Sequence, residues 1–72
     1  MDEIELKKFI ALLDHWIEHY DEHGQDFSGW AIKANSAGFT TVCEYMISAA
    51  NGMSKVKDSL ASALSKIPKA TK

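Results

Sequence analysis

The chain has a single cysteine, Cys43, a single proline, Pro68, and no apolar run near the roughly 18 residues that a membrane span needs. One cysteine excludes a disulfide within the chain and leaves no C-x-x-C pattern for redox chemistry or zinc. No charged segment followed by an apolar stretch marks a signal peptide. Basic residues interleaved with aromatics, the footprint of nucleic-acid binding, are missing, and so is a glycine-rich phosphate loop. H-E-x-x-H is absent, since Glu18 stands before His19 in the reverse order. No Glu stands three residues before a His, as a di-iron bundle would require. These absences predict a cytoplasmic, non-catalytic protein with no nucleic-acid or membrane partner.

What is present describes one small domain. At 72 residues a single core contributes little net stability, so such chains add disulfides, a metal or a partner subunit. With disulfides excluded, metal and self-association remain. An apolar fraction of 46% is too high for disorder. The net charge of −2 is unevenly spread: acidic residues crowd the part before Gly38, and lysines dominate after it. The two parts would attract if folded back on each other.

Asp2 and Glu5 have capping-box spacing for a first helix. Leu6, Ile10, Leu13, Ile17, Tyr20, Gly24, Phe27, Ala31 and Ala34 then recur in alternating steps of four and three, a heptad seam. It runs through Gly24, which predicts one helix to about Asn35. Gly38 suits the left-handed residue that ends a helix, and Thr40 or Thr41 (with Glu44) suits the next N-cap. A second seam follows in Val42, Met46, Ala49, Met53, Val56, Leu60, Ala63 and Ile67, and Pro68 stops it. The prediction is an all-α antiparallel hairpin of two long helices over residues 1–67, with a frayed basic tail at 68–72. Gly24 would face Gly52 and Met53. The rival is a break near Gly24 that gives a three-helix bundle, because glycine costs about 1 kcal/mol relative to alanine in a helix.

Phe9, Trp16, His23 and Trp30 form a further stripe beside the first seam, and Cys43, Ala50 and Leu64 beside the second. A two-helix hairpin cannot bury both, and exposed Phe and Trp at that density mark an interface. Phe9, Trp16, His23, Trp30, Cys43 and Leu64 are therefore the candidate contact residues. Two hairpins pairing into a four-helix bundle, or one hairpin docking on a larger protein, would cover them.

All three histidines, His15, His19 and His23, are spaced four apart and so stack in one column on a helix. A pair of them can bind one transition ion such as zinc, nickel or cobalt, with Glu22 or Asp26 adding an oxygen. One ion cannot reach all three, because His15 and His23 are about 12 Å apart along the axis. Cys43 falls opposite Lys33, ~15 Å along the axis from His23, so a closed site would need a second chain. A polar helix flank with hydrogen-bonded or solvated histidines accounts for the same residues without an ion. Two functions stay open: a helical interaction module, and a small metal-binding protein.

The run Leu12-Leu13-Asp14-His15-Trp16-Ile17-Glu18-His19, with Glu22-His23, Phe27 and Trp30-Ala31, resembles a family of small uncharacterised prokaryotic helical domains. Its members carry an H-W-I-E-H-x-x-E-H core, then a glycine turn like Gly38-Phe39 and an alanine-rich second helix like Ala49-Ala50-Asn51. The resemblance covers roughly Ile4 to Leu64. It implies a helical hairpin, singles out His15, Trp16, His19 and His23, and implies no reaction. Gly24 departs from the helix-favouring residue expected at its position.

Overall fold

The structure, a computed structural model, describes residues 1–68; residues 69–72 of the expected basic tail lie outside the described part. It consists of α1, Glu3–Ser36, and α2, Thr40–Ser65, packed against each other as an antiparallel hairpin. The molecule is a rod of 53 × 20 × 15 Å.

Helix α1 begins where its sequence supplies a cap. The Glu5 amide donates to Asp2 Oδ1 at 2.8 Å. Glu3 and Glu5 then place negative charge on the positive end of the helix dipole. The helix continues through Gly24 to Ser36, so the three-helix alternative does not occur. The reason is local. Gly24 lies against Met53 and Ala50, and contact with α2 offsets the poor helix propensity of one glycine.

The turn forms as the sequence predicts. Gly38 takes φ 88°, the left-handed region. The Phe39 amide donates to Ala34 O at 2.9 Å and the Gly38 amide to Asn35 O at 3.0 Å. These are the two bonds of a Schellman motif, and they satisfy carbonyls that the helix end would leave free. The threonine cap does not form. Helix α2 starts at Thr40 with Phe39 at the N-cap and no side-chain cap bond. The tight turn itself delivers the chain, with the Cys43 amide bonded to Phe39 O at 2.9 Å. At the other end Ile67 leaves the helix before Pro68, as proline requires of its predecessor.

The first seam is inward along its whole length: each of its residues from Leu6 to Ala34 is buried or half-buried, and Leu13 and Ala31 are fully buried. The second seam differs from the expectation. Val42, Ala49, Val56 and Ala63 are exposed. The inward set is Cys43, Met46, Ala50, Met53, Lys57, Leu60, Leu64 and Ile67. Both sets have heptad spacing and share Met46, Met53, Leu60 and Ile67, so periodicity alone does not choose between them. Hydropathy favours the set without a lysine. The structure takes the other, which turns Leu64 inward in place of Ala63 and leaves Val42 and Val56 exposed. Lys57 can sit there because its stem packs while its ammonium reaches Asp21 Oδ1 at 2.9 Å.

Candidate functional site

The rotation of α2 decides what the hairpin shows to solvent. On α1, Phe9, Trp16, His23 and Trp30 each precede an inward residue by one position. On α2, Val42, Ala49, Val56 and Ala63 do the same. One residue is a turn of about 100° about the helix axis, and the helices run in opposite directions. Both rows therefore emerge on the same side of the hairpin. The two rows that the sequence assigns to a core and to a separate stripe form one apolar flank across both helices.

Exposure along this flank is graded. Phe9 and His23 are half-buried. Trp16 is 37% exposed, Val56 38%, Val42 50% and Trp30 61%. Leu12 and Tyr45, at the outer margin of the same side, are also exposed. Lys33 Nζ stands 4.2 Å from the Trp30 ring centroid, a cation–π contact that shields one ring face. Ala49 and Ala63 are small, so a further helix can approach α2 closely there. Of the remaining contact candidates, Cys43 and Leu64 belong to the inward register of α2 rather than to the flank. Val42 and Val56 take their place, and it is the phase of α2, not its composition, that reveals them.

The opposite side is mostly polar, with Ile32 and Ile47 exposed towards the turn. A shallow groove there is lined by Tyr20, Asp21, Gly24, Gln25, Ser28, Ala50, Asn51, Ser54 and Lys57. Asp21 organises it, accepting from Lys57 Nζ and, at 3.0 Å, from Gln25 Nε2. The hydrogen bond and charge of Asp21 raise the Lys57 pKa above its ordinary 10.5.

The histidine column lies at the edge of the apolar flank. His23 is half-buried, and His19 and His15 are exposed, as the helical phase predicts. His19 Nε2 and His23 Nε2 are 3.1 Å apart, with ring centroids at 4.3 Å and planes at 88°. His15 stacks on His19 at 5.9 Å, and His23 stacks on Phe27 at 5.9 Å. Glu22 joins Glu18, His15 and His19 around a shallow depression, while Asp26 is exposed. The structure does not gather His15, His19, His23, Glu22 and Asp26 into one chelating set. Among the described residues no group of three or more His, Cys, Asp or Glu side chains is arranged to hold a metal ion. Neither helix is long and apolar enough to cross a membrane, among the described residues.

No curated protein and no solved structure matches the chain. The family model described as a domain of unknown function (DUF8180) matches residues 9–67, which takes in the turn and nearly all of both helices. The chain belongs to the DUF8180 family.

Proposed function

We propose that the protein is a non-catalytic helical interaction module that pairs with a second copy of itself, flank to flank, into a four-helix bundle. The observation that carries this reading is the convergence of the Phe9–Trp16–Trp30 row and the Val42–Val56 row on one side of the hairpin. An apolar stripe on each of two parallel-lying rods is what a four-helix bundle buries.

Area supports a second copy as the occupant. The chain exposes 5469 Å². A compact monomer of 8.0 kDa would expose about 4,450 Å², so the excess is of order 1,000 Å². A standard interface removes about 800 Å² from each partner. Pairing with a second copy would remove an area of that order. The unpaired Cys43 supports a reducing compartment such as the cytoplasm. The H-W-I-E-H-x-x-E-H run from His15 to His23 reads as the core of the family's first helix.

Sedimentation velocity over a wide concentration range tests the proposal. The parent chain is expected to sediment as a dimer, and Trp30→Glu combined with Val42→Glu as a helical monomer. Ser28→Glu, on the polar side, is expected to leave the dimer intact. A parent chain that stays monomeric at the highest attainable concentration refutes self-association. A flank double variant that dimerises as well as the parent refutes the assigned surface.

A further inference from the structure

We propose that His19 and His23 form a two-nitrogen chelate for a first-row divalent transition ion, with zinc as the reference case. The carrying observation is the 3.1 Å separation of the two Nε2 atoms. Imidazole nitrogens bind zinc at about 2.0–2.1 Å, which puts two of them about 3.3–3.4 Å apart around a tetrahedral ion and about 2.9 Å apart at a right angle. The observed spacing falls between these values, so the nitrogen separation already suits an ion and each ring has only to turn its lone pair onto it.

The pair is held from both sides. His23 rests on Phe27, and His19 meets His15 on one side and the edge of Tyr20 on the other, each at 5.9 Å between centroids. Both histidines rise from the middle of an uninterrupted helix, so the backbone needs no rearrangement to present them. Neither ring is closed off: His19 is exposed and His23 half-buried. His23 belongs to the flank that pairing would cover, so water or a further donor reaches the ion from the side of His19, at the edge of that flank. Glu22 and Glu18 border His19 and add the negative potential that favours a cation near the site.

Without an ion, one Nε2–H donates to the other Nε2. On binding, the donor ring moves that proton to its Nδ1, and both Nε2 lone pairs turn to the metal. His15 has no part in the chelate, because its ring stacks on His19 rather than meeting it nitrogen to nitrogen.

This inference does not rest on self-association. Calorimetric titration of the full, untagged chain with zinc chloride tests it, beside His15→Ala, His19→Ala and His23→Ala, each checked for helix content. The parent and His15→Ala are expected to take up zinc, while His19→Ala and His23→Ala lose the binding heat. In the parent, zinc is expected to shift the imidazole NMR signals of His19 and His23 and to leave those of His15 in place. No heat with the parent overturns the proposal. Loss of binding in His15→Ala, or a zinc-induced shift of His15 as large as those of the other two, overturns the assigned pair. Sedimentation of the same samples in chelator reports on dimerisation separately, so each proposal can fail without the other.

Discussion

Gly24 and Gly38 show how differently the same residue behaves at two points of one hairpin. A Cβ on Gly24 would lie 3.5 Å from Met53 Cβ and 3.7 Å from Ala50 O, both ordinary van der Waals contacts. Alanine therefore fits between the helices and gains helix propensity. Gly24→Ala is expected to stabilise the hairpin by up to about 1 kcal/mol in urea denaturation. Gly38 has open space around a Cβ, but its φ of 88° lies where L side chains clash with their own backbone. Gly38→Ala is expected to destabilise by about 1–2 kcal/mol in the same assay. The role of Gly38 could be read from the sequence, because it stands between two periodic segments where a helix must end. That of Gly24 could not. Composition presents it as a helix interrupter, and only its place against Met53 shows an interhelical contact. His19 and His23 fall between these cases: spacing placed them on one face, but their nitrogen separation depends on rotamers that no pattern encodes.

At the scale of the element, α1 keeps the phase its seam predicts, although Phe9, Trp16, His23 and Trp30 offer a rival row one position away. Every seam residue from Leu6 to Ala34 is small or apolar, and a shift of one position would bring in Lys7, Asp14 and Asp21. On α2 two interleaved heptads compete, and the hydropathy pattern prefers the one without Lys57. What lets Lys57 sit in the inward register is a partner 36 positions away, Asp21, which no local window contains. Among the described residues, Asp21–Lys57 is one pair that joins the acidic first part of the sequence to the basic second part. Its contribution to stability has a definite sign with pH. Because the lysine pKa is raised in the folded state, the contribution is complete below the ordinary value of 10.5 and is lost as pH rises through the folded-state value. The urea midpoint of the parent is therefore expected to exceed that of Asp21→Asn by a constant margin below the ordinary lysine range, and the margin to close as pH rises through the raised folded-state value. The comparison cancels the other lysines and the tyrosines, which titrate in both proteins. A margin that survives at the alkaline end would mean that Asp21 acts through Gln25 instead.

For the whole molecule, the question is why a rod in which Leu13 and Ala31 alone are fully buried, among the described residues, should hold together. Two helices give one line of contact, and conformational entropy opposes it at every residue. A second hairpin laid on the apolar flank adds the layer that turns a line of contact into a core. Folding and association then become one equilibrium, and stability depends on protein concentration. A tenfold rise in concentration favours the dimer by about 1.4 kcal/mol. Since an assembly of this size shifts its melting temperature by about 2–4 °C per kcal/mol, the expected increase is about 3–6 °C. Thermal melts followed by circular dichroism at two concentrations measure it directly. The combined Trp30→Glu and Val42→Glu variant is expected to melt lower and at one temperature whatever its concentration, because its flank no longer receives a partner. A parent chain whose melting temperature stays fixed over a hundredfold change in concentration would show that the hairpin draws its stability from within. The exposed row from Trp16 to Trp30 would then need another explanation.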